Sequence, residues 1–238
     1  MKKLLFAILP ILAIPLLWAN PKPGDFFTSG PKAGKEIALT FDDGPGPHTD
    51  DFLALLNRFH VKATFFMSGD QVKIRRGVAK KVFDAGHEIG NHTWEHINYL
   101  KRNKSLIKEV GPAKAPRKSI DALVADMEKT SKLIADVTGR APRLCRMPHG
   151  IDRSWVKEAA SDAGLILVNW TFGEDWTSKS KEDLVKEYVK ALSPGAIILI
   201  HDGWPKSDKS LTVTEAVLKA AQEKGYQIVP VGQLIGLP

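Results

Sequence analysis

From Glu36 onwards, short apolar segments alternate with longer amphipathic ones. The apolar segments are continuous, as in Ile197–Ile200, which is typical of strands covered on both faces of a parallel sheet. They predict strands at Glu36–Phe41, Lys62–Met67, His87–Asn91, Arg143–Met147, Leu165–Trp170, Ala196–Ile200 and Tyr226–Val231. The amphipathic segments predict crossover helices at about 48–58, 70–85, 119–138, 152–163, 180–192 and 212–224. This order of elements predicts an α/β fold, built as a barrel or as a doubly wound sheet.

Charged or titratable side chains follow five of the predicted strands. They are Asp42 and Asp43, His92 and His96, Arg146, Asp175, and His201. In a (β/α) barrel the carboxyl ends of all strands meet on one face, where catalytic groups lie. An open sheet would gather such residues at one switch point between neighbouring strands. Because a barrel brings more of these residues together, we predict a single-domain barrel of about seven parallel strands.

The first twenty residues differ from the rest of the chain. Lys2 and Lys3 precede an apolar run from Leu4 to Trp18, which predicts a secretory signal peptide. The residues after this run match a cleavage site poorly, so an uncleaved N-terminal anchor is the alternative for residues 1–20. Proline and glycine are frequent in residues 21–35, which predicts a linker before a domain at 36–238. We therefore expect an exported protein, located in the periplasm, in the cell envelope or outside the cell.

The charge of the chain is concentrated in one segment. The 238 residues carry 34 Lys and Arg against 27 Asp and Glu, for a net charge of +7. Residues 101–118 alone contain seven cations and one acid. This segment has no aromatic residue on which a base could stack, so we expect no nucleic-acid partner. A solvated loop is one interpretation, and contact with an anionic envelope polymer or a membrane surface is the other.

Two histidines lie four residues apart, at His92 and His96. On a helical turn this spacing would place both imidazoles on one side, within reach of one metal ion. Histidines at this spacing also occur in cores and on surfaces without a metal. Asp43 could supply a third ligand, and two histidines with one carboxylate leave a position open for water or substrate, as in hydrolytic zinc enzymes.

The stretch Thr40–Pro47 contains two adjacent acids, Asp42 and Asp43. One interpretation is a turn in which the acids cap the next helix. A dinucleotide-binding loop is excluded, since two prolines remove N–H groups that would hold phosphate. Buried acids are costly unless each has a partner, and a metal for one and Arg146 for the other would supply both. One carboxylate would then be a ligand, and the other would be free to take a proton from water.

Five ordered motifs resemble those of the polysaccharide deacetylases, the enzymes with a NodB-like homology domain that form carbohydrate esterase family 4. The motifs are Thr40–Gly44, His92–His96, Arg146–Gly150, Glu174–Trp176 and Leu199–His201. The resemblance extends from about Glu36 to the end of the chain. It implies a distorted (β/α) barrel and a divalent metal ion, usually Zn²⁺. The ligands implied by the motifs are Asp43, His92 and His96.

The resemblance also implies a role for each remaining motif residue. Asp42 matches the general base and Arg146 the residue that orients it. His201 matches the general acid, and Asp175 would hold its other ring nitrogen. A backbone N–H near His149 would help the metal to stabilise the oxyanion. The predicted substrate pocket consists of Trp176, Leu199 and His149.

Together with these residues, the resemblance implies a zinc-dependent N-deacetylase that acts on N-acetylglucosamine units of an envelope or extracellular polysaccharide. Peptidoglycan and chitin-like chains are the first candidates. An O-acetyl esterase of acetylated xylan or a similar polymer is the alternative enzyme, because the same groups hydrolyse esters. A catalytically silent carbohydrate-binding protein of the same fold is a third possibility. The paired His201 and Asp175 favour an enzyme, since a binding protein has no use for a general acid.

Overall fold

The computed structural model describes residues 20–111, 114–205 and 207–238. The predicted signal peptide or anchor, at residues 1–20, lies outside the described residues except for Asn20. Within the described ranges, no helix combines the length and the apolar character needed to cross a membrane.

One parallel sheet forms the centre of the fold. Its strands are β1 Phe26–Phe27, β2 Glu36–Asp42, β3 Thr64–Met67, β4 Glu88–Asn91, β5 Leu144–Cys145, β6 Ile166–Val168, β7 Ile197–His201 and β8 Gln227–Ile228. Their order in the sheet is β1-β6-β5-β4-β3-β2-β7, and β8 pairs with β2. Every ladder between the described strands is parallel. The prediction of an α/β fold on one parallel sheet is therefore confirmed, with eight strands instead of about seven.

The sheet curves, but no continuous ladder closes it within the described residues. Beyond β6, the chain at Thr171 and Phe172 returns to the far edge of the sheet. The Thr171 N–H donates to the carbonyl of Ile197 at 2.8 Å, and an isolated parallel bridge joins Phe172 to Ile198. The Thr171 hydroxyl also donates to the carbonyl of Thr28, just after β1, at 3.0 Å. The same segment therefore contacts both edges of the sheet without a continuous ladder, which makes the barrel a distorted one.

Helices cover the strands between successive crossovers. The α-helices are α1 Thr49–Arg58, α2 Gly69–Ile74, α3 Arg76–Asp84, α4 Tyr99–Arg102, α5 Lys104–Val110, α6 Arg117–Thr138, α7 Ser154–Asp162, α8 Lys181–Ala191, α9 Asp208–Glu223 and α10 Val231–Leu234. The helix predicted at 70–85 is divided into α2 and α3 at Arg75. The basic segment 101–118 holds the second half of α4, all of α5 and the start of α6, so it is largely helical where one interpretation was a loop.

The predicted linker, residues 21–35, contains a strand that the sequence analysis did not predict. Phe26 and Phe27 pair in parallel with Leu167 and Val168 of β6. A run of two residues is too short to show the periodicity of a strand, so β1 can be recognised only from its pairing with β6. This segment belongs to the sheet.

The main core lies between the sheet and the helices that follow β2 and β7. Six of the seven residues of β2 are buried. Phe41 stacks on Phe65 with ring centroids 4.8 Å apart and packs against Phe52 of α1 at 5.1 Å. Burying each such side chain stabilises the fold by roughly 1.5–3 kcal/mol. This packing fixes β2 between β3 and β7, so that its carboxyl end presents Asp42 and Asp43 at a defined position.

Candidate active site

A cavity of about 540 Å³ lies at the carboxyl ends of the strands. Eight of the ten predicted site residues line it, namely Asp42, Asp43, His92, His96, His149, Trp176, Leu199 and His201. The other two, Arg146 and Asp175, are buried behind this wall and bond to Asp42 and His201. The structure therefore brings all ten predicted residues to one site.

The three predicted metal ligands face one another in this cavity. Asp43 Oδ1 lies 3.3 Å from His92 Nε2 and 3.4 Å from His96 Nε2. One ligand atom from each residue falls within 4.8 Å of the others. Asp43 Oδ1 is buried and has no hydrogen-bond partner among the described residues. An orphaned carboxylate oxygen beside two imidazole nitrogens fits a divalent ion of the zinc type.

The orientation of His92 is fixed from behind. Its Nδ1 lies 2.7 Å from the carbonyl oxygen of Arg146, which acts as acceptor for the Nδ1 proton. This leaves Nε2 unprotonated and directed at Asp43 when the imidazole is neutral, as a metal ligand requires. Burial lowers the pKa of His92, but the charges of Asp42 and Asp43 outweigh it and raise that pKa overall.

The pKa of Asp43 moves in the opposite direction. Burial raises it, yet the contact with His92 and the charges of His92 and His96 hold the pKa of Asp43 well below its usual value. The carboxylate is therefore ionised over the whole range in which the protein would work. An ionised oxygen atom and two imidazoles form a ready set of donors for a cation.

The two histidines meet as expected, but not on the helical turn that was considered from their spacing. They follow β4 in an irregular loop in which Thr93 and His96 have φ angles of 62° and 53°. Asp43 and His149 also adopt positive φ, at 69° and 61°. Such conformations cost non-glycine residues roughly 1–3 kcal/mol each and cluster at functional sites. A strained loop, and not helical periodicity, brings the imidazoles together.

Asp42 is paired with a buried guanidinium group. Nη1 of Arg146 donates to Asp42 Oδ1 at 2.7 Å and to Thr40 Oγ1 at 2.8 Å. Its Nε and Nη2 donate to the carbonyls of Val168 and Asn169. Because these bonds hold Arg146 from three sides, Asp42 is fixed through one oxygen. Its other oxygen, Oδ2, lies 3.9 Å from His92 Nε2, beside the candidate metal site.

His201 forms a second pair with Asp175. Its Nδ1 lies 2.8 Å from Asp175 Oδ1, and its backbone N–H donates to Asp175 Oδ2 at 2.9 Å. The hydroxyl of Ser210 also donates to Oδ2, at 2.6 Å. Burial lowers the pKa of His201, but the hydrogen bond and the charge of Asp175 raise it overall. The imidazolium form is thereby favoured, with Nε2 left to donate a proton.

Aromatic side chains form the rim of the cavity. Trp176 is 45% exposed and meets the ring of His201 edge-on, with centroids 5.4 Å apart. Trp170 meets Trp176 edge-on at 6.4 Å. His149 lies 4.8 Å from the ring of His96, and its pKa is lowered by burial and by the charge of Lys101. These exposed flat surfaces suit the apolar face of a sugar ring.

The sequence analysis missed Asp202, which follows His201 directly. Its carboxyl group is fully buried, accepts a hydrogen bond from the Thr49 hydroxyl and lies under Gly44. Burial, together with the charges of Asp43 and Asp42, raises the pKa of Asp202 to about 7. A Cβ at Gly44 would lie 2.5 Å from this carboxyl group, so only glycine fits there. The signal that the sequence offered for Asp202 was its position directly after the motif histidine.

Comparisons with known proteins agree with this geometry. The model of the polysaccharide deacetylase family matches residues 29–168. The peptidoglycan-N-acetylglucosamine deacetylase PgdA of Listeria monocytogenes is 33% identical over 207 residues, which are 86% of this chain and 40% of the relative. The chain thus spans less than half the length of that relative.

Two solved structures share the fold. That of the Bc1960 peptidoglycan N-acetylglucosamine deacetylase superposes with a TM-score of 0.77 at 27% identity, covering 91% of this chain and 94% of the other. That of BA3943 from Bacillus anthracis, described as a CE4 family pseudoenzyme, has a TM-score of 0.75 at 26% identity, covering 89% and 69%. The matched family and the assembled site together show that the chain belongs to the polysaccharide deacetylase family.

Proposed function

We propose that this protein is a metal-dependent N-deacetylase of N-acetylglucosamine-containing polysaccharide, with peptidoglycan as the first candidate and chitin-like chains as the second. One observation carries the proposal. A single cavity contains a carboxylate held by Arg146, an imidazole held by Asp175 and the three candidate ligands. The substrate class is supported by the names of the Listeria relative and of Bc1960.

Asp42 acts as the general base in this proposal. Arg146 occupies Oδ1 of its carboxylate, so that Oδ2 is available to take a proton from water on the metal side of the cavity. Thr40 and the backbone carbonyls around Arg146 hold the guanidinium in place. The base is therefore preorganised before substrate arrives.

His201 acts as the general acid. Its Nδ1 is held by Asp175, and Nε2 delivers a proton to the leaving amine when the carbon–nitrogen bond breaks. The hydrogen bond and the charge of Asp175 raise the pKa of His201 and so favour the protonated form that a general acid needs. Asp42 and His201 are register partners on the neighbouring strands β2 and β7, so the base and the acid lie at the same end of the sheet.

Asp43, His92 and His96 would hold the divalent ion, for which Zn²⁺ is the first candidate because imidazole and carboxylate donors suit it. When bound, such an ion supplies Lewis-acid polarisation of the acyl carbonyl and makes water easier to deprotonate. A backbone N–H near His149 would share the charge of the oxyanion. Trp176 and Leu199 form the pocket for the acetyl methyl group.

Two alternatives share this cavity. An O-acetyl esterase would use the same base and ion but would not need a strong acid, since an alkoxide leaves more readily than an amine anion. The Asp175–His201 pair therefore favours amide hydrolysis. A silent protein such as BA3943 is the other alternative, and the complete set of base, acid and candidate ligands argues against it.

Acetate release tests the proposed function. Purified protein is incubated with chitooligosaccharide, peptidoglycan and acetylated xylan, with and without a chelator, and acetate is quantified. We expect release from the first two substrates, loss of release with chelator and recovery with Zn²⁺. Release from xylan alone would identify an O-acetyl esterase, and no release from any substrate would favour the silent alternative.

We further propose that the protein is exported by its N-terminal segment. The cationic start and the apolar run from Leu4 to Trp18 support this, as does a substrate found outside the cytoplasm. Cell fractionation with a C-terminal tag, combined with N-terminal sequencing, tests export. A cytoplasmic full-length protein would refute it.

The basic segment would place the protein on anionic envelope material. Arg117 is already engaged, because it pairs with Asp121, Glu158 and Asp162 at 2.7–3.1 Å. Within the described part of the chain, no ion pair engages Lys101, Lys104 or Lys108. Lys101 lies near enough to His149 to affect its pKa, so these free cations begin beside the cavity.

A charge-matched pair of variants tests this role. One variant replaces Lys101, Lys104 and Lys108 by Gln, and the control replaces the exposed Lys32, Lys73 and Lys190. We expect only the first variant to lose activity on intact wall material and to lose its dependence on salt. Both should retain activity on neutral chitooligosaccharide. Equal behaviour of the two variants on wall material would exclude this role.

A further inference from the structure

Trp204 contacts both halves of the site. Its indole Nε1 donates a hydrogen bond to Asp43 Oδ2 at 3.0 Å. The same indole stacks on the ring of His201, with centroids 4.3 Å apart and the planes inclined by 11°. Trp204 thus joins a candidate metal ligand to the candidate general acid, although neither the motifs nor the family resemblance pointed to it.

The loop that carries Trp204 is built for close approach to Asp43. A Cβ on Gly203 would lie 2.2 Å from the Asp43 carbonyl oxygen and 2.6 Å from its Cβ, so only glycine fits there. The backbone N–H groups of Asp202 and Gly203 both donate to the carbonyl of Asp42, at 3.2 and 3.4 Å. On the far side, Nε2 of His48 lies 3.2 Å from the carbonyl oxygen of Pro205. The indole is therefore held against Asp43 from both ends of its loop.

This contact gives the two oxygens of Asp43 different environments. Oδ2 accepts the indole proton, whereas Oδ1 lies between the two imidazoles and has no hydrogen-bond partner among the described residues. A carboxylate with one oxygen already engaged presents its other oxygen to a cation. Groups behind a ligand typically change metal affinity by about 10–100-fold, because they fix the ligand before the metal arrives.

We propose that Trp204 is a positioning residue that makes Asp43 a one-oxygen ligand of the divalent ion, by holding Oδ2 and leaving Oδ1 for the metal. This inference rests on the metal dependence of the proposed function. Without the indole N–H, the carboxylate is free to turn and to offer both oxygens. The ion would then be held less tightly and with a different set of oxygen ligands.

The test removes the N–H and keeps the shape of the side chain. Trp204 is replaced by benzothienylalanine, the tryptophan analogue with sulfur in place of the N–H, and in a second variant by Phe. Co²⁺ affinity is measured by competition with a chelator, and the visible spectrum of the Co²⁺-loaded protein reports the coordination geometry. Trp176→Phe is the matched control, because Trp176 also contacts His201 but makes no described hydrogen bond to Asp43.

We expect both Trp204 variants to bind Co²⁺ about 10–100-fold more weakly and to show a changed Co²⁺ spectrum. Trp176→Phe should match the parent in both measurements. Unchanged affinity and spectrum in the benzothienylalanine variant would overturn the proposal, as would equal weakening in the control. These measurements need no turnover, so a parent protein that binds Co²⁺ but releases no acetate would refute the proposed activity and leave the role of Trp204 standing.

Discussion

Histidine and carboxylic acid side chains lie at both ends of the sheet, but their pKa values are shifted in different directions at the two ends. At the carboxyl ends, opposite charges face each other, and the pKa values of His92 and His201 are raised. At the amino end of β4, burial and the charge of Lys62 lower the pKa of His87 to about 4, and burial raises the pKa of Glu88. The charged forms of His92 and His201 are thus favoured at the first end. The neutral forms of His87 and Glu88 are favoured at the second.

Hydrogen bonds explain this difference. His87 accepts the N–H of Ala63 on its Nδ1, a bond that requires an unprotonated nitrogen. Glu88 accepts from the Thr64 hydroxyl and from the N–H of Gly232, which ties β4 to β3 and α10. Neither has a close ion-pair partner among the described residues. Burial of a titratable group thus marks a candidate reactive site only where an opposite charge accompanies it.

The largest effect should follow from removing the base at the charged end. Asp42→Asn keeps the shape and can still accept from Arg146, but it cannot take a proton. We expect turnover to fall by about 10²–10⁴-fold with metal content retained, measured by acetate release and elemental analysis. Asp43→Asn should instead lose the metal. Equal metal content in the two variants would contradict the division of roles between these neighbours.

The next largest effect is a difference in unfolding free energy between variants at the two ends of the sheet. Arg146→Met leaves the buried Asp42 carboxylate without its partner, and we expect a loss of about 3–5 kcal/mol in the free energy of unfolding. Glu88→Gln should cost less than about 1 kcal/mol, because an amide oxygen accepts the same two hydrogen bonds. Urea denaturation of both variants, monitored by circular dichroism, measures this. Similar losses of unfolding free energy in the two variants would contradict this difference between the two ends of the sheet.

His87, at the amino end of β4, should make the free energy of unfolding depend on pH. The folded pKa of His87, about 4, lies below its ordinary value of 6.5, so the unfolded chain binds the extra proton between these values. Stability therefore falls as the pH drops from 6.5 to 4, by up to about 3 kcal/mol from this residue. His87→Asn, whose side-chain oxygen can accept from Ala63, should remove that part of the dependence. Denaturation of both proteins across a pH series measures this dependence. The same change of unfolding free energy with pH in the variant and in the parent would contradict the prediction.

The smallest effect concerns the acid at the charged end. Asp175→Asn removes the charge that raises the pKa of His201, so the imidazole loses its proton at a lower pH. A general acid must be protonated, and the alkaline limb of kcat/KM should therefore move to lower pH. Ser210→Ala removes only one hydrogen bond from Asp175 and should move the limb less. An alkaline limb that stays fixed in both variants would show that His201 is not the acid.

The sequence predicted which residues meet at the candidate active site, but it did not predict the backbone conformations there or all of the contacts. Continuous apolar segments ending in polar residues were enough to predict a parallel sheet and to bring Asp42, His92 and Arg146 to one face. Periodicity could not predict the positive φ angles of Thr93 and His96, because local strain is set by the packing around them. It also could not predict the contact between Trp204 and Asp43. These residues are 161 positions apart and meet only because β2 and β7 are neighbours.

Strand β1 also determines where the preceding chain is attached. It runs parallel to β6, and the N–H of Gly24 donates to the carbonyl of Leu165, just before β6 begins. Gly24 and Asp25 therefore lie at the amino ends of the strands, on the side of the sheet opposite the cavity. A tether that enters the domain through Gly24 would reach it on the side that faces away from the cavity. The two-residue strand thus determines on which side of the domain such a tether would begin.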